Sequence, residues 1–110
     1  MKLTKTQHQV FDKLCKEHLD AHNKTFEEWV CRDDDFADYN DFLEYANKFG
    51  KKEAERTIEF YKTLYDEARN QNIYLAHTSS NTLRAMERKG LIEIIRDGGK
   101  YMDKVRLLTD

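Results

Sequence analysis

The segment SSNTLRAMERKGLIEIIRDGG, residues 79–99, decides the fold because it carries several local structural signals in one stretch. Serine hydroxyls precede a helix predicted over 80–89, and Gly90 stands where helices commonly end. LIEIIR and the later YMDKVRLL are strand-like apolar runs, and the Asp-Gly pair between them favours a tight turn. The sequence therefore predicts a helix followed by a β-hairpin over 92–108.

Upstream of this segment, the spacing of apolar residues predicts further helices. The predicted elements are a helix over 4–22 capped by Thr4 or Thr6, a second start at Thr25 with Glu28 at the capping-box spacing, a short helix ended by Gly50, and a helix over 51–70. The following Ile73, Tyr74 and Leu75 read either as a short strand or as a buried connector.

Length and composition limit the possible classes of protein. A chain of 110 residues is the size of one domain, and 39% apolar with 36% charged residues is typical of a globular chain with a well-solvated surface. We find no signal peptide or long apolar run, so we expect no membrane association. Two cysteines without a secretion signal favour reduced thiols and a cytoplasmic location.

Charge is unevenly distributed along the chain, although the net charge is only −2. Residues 25–50 hold eight acidic and two basic side chains. Residues 84–106 hold seven basic and four acidic side chains. The overall charge therefore neither excludes nor favours nucleic acid as a partner.

The C-terminal half resembles a winged helix–turn–helix domain. The residues that carry the resemblance are Ser80, Asn81, Thr82, Leu83, Arg84, Met86, Glu87, Lys89, Gly90, Leu91 and Ile92, with the hairpin through Leu108, and MKLTKTQHQVFDKLCKEH resembles the first helix of that fold. The resemblance implies an α+β, mostly helical, single winged-helix-like domain over 1–110. Residues 25–50 have no counterpart in a minimal winged helix, so we interpret them as an acidic helical insertion. It also implies that the helix before the hairpin enters the DNA major groove and that the hairpin is the wing.

The segment before the predicted recognition helix departs from the pattern of this family. The family places a short helix and a tight turn there, whereas this chain has the long helix 51–70 followed by QNIYLAHT. Either the long helix is a displaced second helix, or IYLA is the small first strand and the second helix is absent.

The side chains expected to bind double-stranded DNA follow from helical geometry. Asn81, Arg84 and Arg88 share the outward face of helix 80–89 and are residue types that read purine bases. The expected phosphate contacts come from the helix start and the hairpin: Ser79, Ser80, Thr82, Arg96, Lys100 and Lys104. A chain this small is expected to act as a homodimer, through the helix 51–70 or the first helix, in transcription regulation.

Other patterns support competing interpretations. The acidic, aromatic segment 33–49 could instead make the chain a protein-interaction module that docks a basic partner, or a nucleic-acid mimic.

The chain also has a group of residues whose spacing could hold zinc: Cys15, His18, His22 and Cys31. They fall on the apolar stripe of the first helix, which favours a core role and no metal. The aspartates at 33–35 and 38–41 lack the glycine and terminal glutamate of a calcium loop. No catalytic motif is present, so we expect neither an enzyme nor a cofactor.

Overall fold

The structure, a computed structural model, describes residues 2–96 and 103–108. Within these residues the chain forms five helices and three strands, which confirms the α+β class and the predicted order of elements. They are α1 (Lys5–Asn23), α2 (Phe26–Val30), α3 (Tyr39–Asn47), α4 (Lys51–Gln71), β1 (Ile73–Ala76), α5 (Ser80–Arg88), β2 (Ile92–Arg96) and β3 (Asp103–Leu107).

Capping side chains set the helix starts. Thr4 and Thr25 each form a capping box with the residue three positions later, Gln7 and Glu28, and so satisfy free N–H groups of the first turn. The prediction that Gly50 ends the short helix is wrong. Gly50 is the N-cap of α4 with φ 104°, a backbone conformation that L side chains rarely adopt, while α3 already ends at Asn47.

The three strands form one antiparallel sheet in the order β1-β3-β2. Val105 of β3 lies opposite Tyr74 of β1 and Ile94 of β2, and the register shifts between Ile94 and Arg96. The strand interpretation of IYLA is therefore correct. The predicted Asp-Gly turn of the hairpin lies outside the described residues.

One apolar core joins the helices to the sheet. Leu83, Met86 and Val105 are fully buried in the same cluster as Trp29 and Phe42, which belong to the acidic segment 25–50. Each fully buried side chain of this size contributes about 1.5–3 kcal/mol. The segment predicted as an insertion is therefore part of the core that supports α5.

The element before α5 differs from a helix–turn–helix. β1 ends at Ala76 and α5 begins at Ser80, so the short connection between them contains no helix. Of the two arrangements considered for this segment, the structure has the strand without the second helix. Within the described ranges, no helix is long and apolar enough to cross a membrane.

Candidate nucleic-acid interface

Helix α5 has one buried face and one exposed face. Leu83 and Met86 are fully buried, whereas the side chains of Asn81, Arg84 and Arg88 are exposed. Among the described residues, neither guanidinium has a carboxylate within 4 Å. The structure therefore brings the three predicted base-reading residues together on one free surface.

The start of α5 is held by a hydroxyl pair. Ser79 is the N-cap, and its Oγ accepts a hydrogen bond from the Thr82 backbone N–H at 3.3 Å and lies 2.9 Å from Thr82 Oγ1. Ser79 and Ser80 are exposed and Thr82 is half-buried. The first turn of a helix presents free N–H groups, so a phosphate oxygen could be bound here beside Arg84.

Two side chains, whose contacts the sequence did not predict, fix the orientation of α5. The Glu87 carboxylate accepts a hydrogen bond from the Ile94 backbone N–H of β2 at 2.8 Å. The Lys89 ammonium donates to the Lys2 carbonyl at 3.0 Å and to Gln7 Oε1 at 2.5 Å. Lys89 is therefore used to attach the end of α5 to the start of α1. Gln7 lies 82 residues from Lys89 in the sequence, so no local sequence signal identifies this contact.

Of the three predicted hairpin contacts, the structure describes only the side chain of Lys104, and this side chain contacts α4 rather than α5. Lys104 forms an ion pair with Glu67 of α4, with 2.8 Å between Nζ and Oε1. Side chains alternate along a strand, so Lys104 lies on the sheet face opposite to that of Val105, which is buried in the same core as Leu83 and Met86 of α5. The side chain of Arg96 and the whole of Lys100 lie outside the described residues.

The acidic aromatic segment 33–49 exposes two of its rings on α3 and on the turn that follows. Tyr45 is 49% exposed and Phe49 is 73% exposed. The Tyr45 ring lies 5.3 Å from that of Phe36, centroid to centroid. The aspartates at 33–35, 38 and 41 are all exposed, and the Lys48 ammonium lies 5.7 Å from the Phe49 ring centroid. This surface belongs to the end of the molecule where α3 packs on α4, whereas α5 packs on β2 and α1.

The cysteines and histidines of α1 make hydrogen bonds and packing contacts. The His18 Nδ1 lies 2.9 Å from the Tyr74 hydroxyl, and the His22 Nδ1 lies 2.8 Å from the His18 carbonyl. Burial and the neighbouring His22 ring lower the pKa of His18, and burial raises the pKa of Tyr74. Burial, with the nearby Asp12 carboxylate, also raises the pKa of the Cys15 thiol. In the described part of the chain, no three His, Cys, Asp or Glu side chains are placed to share a metal ion.

Comparison with protein-family models, curated proteins and solved structures finds no match to this chain. The candidate site is therefore defined by its own geometry.

Proposed function

We propose that the protein binds double-stranded DNA in a sequence-specific way, as a small transcription regulator that inserts α5 into the major groove. The observation that carries the proposal is the exposed face of α5, where Asn81, Arg84 and Arg88 stand together over a fully buried face. Asn is the residue that pairs bidentately with adenine, and Arg with guanine. We extend the winged-helix resemblance to this proposal, with the β2–β3 hairpin as the wing.

The distribution of charge also favours the exposed face of α5 as the DNA-binding surface. The acidic segment 33–49 would repel DNA at close range, but it belongs to the part of the fold built on α4, while α5 contacts β2 and α1. Lys89 and Lys104 already bind groups within the chain, so neither is free to bind a phosphate. The cations that α5 itself offers are Arg84 and Arg88.

The first experiment is a fluorescence-anisotropy titration with random duplex DNA over a series of salt concentrations. Two cations that each neutralise one phosphate give a slope of log K against log [salt] of about −2, since each contributes about −0.9. A wing that adds contacts makes the slope steeper. Absence of binding to random duplex at low salt, together with failure to select any cognate duplex from a random pool, contradicts the proposal.

A matched pair of variants then tests which arginines are used. We expect Arg84→Ala to weaken binding to a selected cognate duplex by about 1–3 kcal/mol. Lys48→Ala removes an exposed cation from the turn after α3, outside α1, α4 and α5, and should leave binding unchanged. If Arg84→Ala weakens binding equally on every DNA sequence, α5 does not read bases.

We further propose that the protein is a homodimer in solution, through α4 or α1. Each of these helices exposes one large apolar side chain, Phe60 at 49% and Leu19 at 59%. Sedimentation velocity of the wild type, Phe60→Ser and Leu19→Ser tests this: one variant should shift the protein to monomer. A monomeric wild type contradicts it.

The exposed rings of the acidic aromatic segment favour a second candidate function, docking of a basic protein. Exposed aromatic side chains in a segment rich in exposed carboxylates suit a partner that carries Lys and Arg around an apolar anchor. Charge reversal at Asp34, Asp38 and Asp41 distinguishes the two functions. It should abolish binding of such a partner, whereas DNA binding should persist or strengthen.

A further inference from the structure

Two histidines near the end of α1 stand side by side on the surface. His18 and His22 are four residues apart in the helix, so they lie on one face, one turn from each other. Their ring centroids are 4.2 Å apart, with an angle of 38° between the ring planes. His22 is exposed and His18 is half-buried, so a dissolved ion can reach the pair. Two histidines at this spacing on one helix face are an arrangement that binds zinc in helical metal sites.

Hydrogen bonds hold the Nδ1 atom of each ring. The Nδ1 of His22 lies 2.8 Å from the His18 carbonyl, which only accepts, so this nitrogen carries the proton. The Nδ1 of His18 lies 2.9 Å from the Tyr74 hydroxyl, and this hydroxyl donates to the Ala68 carbonyl at 3.4 Å. A hydroxyl that donates to Ala68 accepts from His18, so the Nδ1 of His18 is also a donor. With both protons on Nδ1, the lone pair of each ring is on Nε2.

The surroundings of His18 favour the neutral form of its ring. Burial lowers the pKa of His18, the neighbouring His22 ring lowers it further, and a hydrogen bond with the Asn72 side chain acts in the opposite direction. The net shift is downward from an ordinary value near 6.5, so His18 is mostly unprotonated at pH 7. A metal ion binds neutral imidazole and therefore does not have to displace a proton from most of the His18 rings.

The chemistry of the pair restricts the kind of ion. Imidazole nitrogen suits Zn²⁺ and Ni²⁺, whereas Mg²⁺ and Ca²⁺ prefer carboxylate and carbonyl oxygens. Within residues 2–96 and 103–108, no third His, Cys, Asp or Glu side chain is placed to share an ion. The four-residue spacing that includes Cys15 and Cys31 therefore does not form a four-ligand zinc site. Water fills the other coordination positions of an ion held by the two rings.

We propose that His18 and His22 bind one divalent transition-metal ion through their Nε2 atoms. The His18 carbonyl and the Tyr74 hydroxyl act as outer-shell partners, because they hold the two Nδ1 atoms and so orient the rings. Such partners normally accompany metal-binding histidines. Since Tyr74 belongs to β1, a bound ion also strengthens the contact of α1 with the sheet. The site does not depend on the proposed DNA-binding function.

The test uses the full chain with Zn²⁺, Ni²⁺ and Mg²⁺ as probes. Isothermal titration calorimetry should show saturable binding of Zn²⁺ and of Ni²⁺, with one ion per chain. A large excess of Mg²⁺ should not compete, because this ion requires oxygen ligands. Long-range ¹H–¹⁵N NMR spectra of the imidazole rings should place Zn²⁺ on the Nε2 atoms of His18 and His22.

Three substitutions locate the ion. Loss of an outer-shell partner costs about 10–100-fold in metal affinity, so Tyr74→Phe, which keeps the ring, should weaken Zn²⁺ binding at least about tenfold. His22→Gln removes a ligand itself and should weaken binding by more than about 100-fold. His22 is exposed, so this change leaves the core intact. His8→Gln is the control on the same helix: His8 is exposed, pairs with Asp12 at 2.9 Å, and its loss should leave binding unchanged.

Four results would overturn the proposal. They are the absence of saturable Zn²⁺ binding, wild-type affinity in His22→Gln, loss of affinity in His8→Gln, and NMR shifts that leave the rings of His18 and His22 unchanged. Zn²⁺ binding at these two rings in a protein that fails to bind DNA supports this site and contradicts only the proposed function.

Discussion

Two adjacent residues of α5, Leu83 and Arg84, should respond to alanine substitution in opposite ways. Leu83 is completely buried beside Met86 in the core, so Leu83→Ala removes buried methyl groups and leaves a cavity. Such changes cost about 2–5 kcal/mol, and we expect the upper half of this range because no part of the side chain reaches solvent. A domain of this size is stable by only about 5–15 kcal/mol, so the loss should be large relative to the total.

Arg84→Ala should leave stability almost unchanged. Its side chain is exposed, and alanine is at least as good a helix former as arginine, so the free energy of unfolding should stay within about 0.5 kcal/mol of the wild type. The variant should instead lose affinity for cognate DNA. Leu83→Ala, studied at a temperature where it remains folded, should retain most of that affinity.

Urea unfolding followed by Trp29 fluorescence measures both stabilities, because Trp29 is buried in the same core as Leu83. The reasoning is refuted if Arg84→Ala destabilises the protein as much as Leu83→Ala does. It is also refuted if Leu83→Ala changes the free energy of unfolding by less than about 1 kcal/mol, since a buried leucine cannot be lost so cheaply.

Three further predictions concern the rest of the fold. Phe42→Ala should lower the free energy of unfolding by about 3–5 kcal/mol in urea, because its ring is fully buried 5.1 Å from that of Tyr61; a small effect would mean that the acidic segment is not part of the core. Thr25→Ala should cost about 0.5–2 kcal/mol through loss of the α2 cap, with Thr25→Ser as the control that retains the hydroxyl. The folded-state pKa of His18 is lowered, so the unfolded chain binds more protons and stability should fall as pH drops below 6.5. His18→Gln should flatten that dependence, and an unchanged slope would contradict it.

Local signals were enough to predict most of the secondary structure. The Thr25 capping box and the order of helices and strands are confirmed, because each depends on residues within one turn of the chain. Gly50 was misassigned because a glycine with positive φ suits the end of one helix and the connection to the next equally well. Only the packing of α3 on α4 decides between them.

The long-range contacts could not be predicted in the same way. His18 meets the Tyr74 hydroxyl across 56 residues, and Lys104 meets Glu67 across 37. Helical periodicity predicted which face of α5 is exposed, and so brought Asn81, Arg84 and Arg88 together correctly. Helical periodicity could not predict the cleft between α1, α4 and β1, because its walls come from three elements that are distant in sequence.

Several basic side chains are paired within the fold and are not free to bind a partner. Sequence counting assigns a surplus of basic side chains to residues 84–106, but Lys89 is bound to Gln7 and Lys104 to Glu67. Part of the apparent basic character therefore stabilises the contacts of α5 with α1 and of β3 with α4. Arg106 is also paired, with Glu93, so among the described residues of 84–106 the cations without a hydrogen-bond or ion-pair partner are Arg84 and Arg88. Two free arginines on α5 cannot hold DNA by electrostatic attraction alone, so specific binding through α5 would depend on its base contacts, on the wing, or on a second copy of the chain.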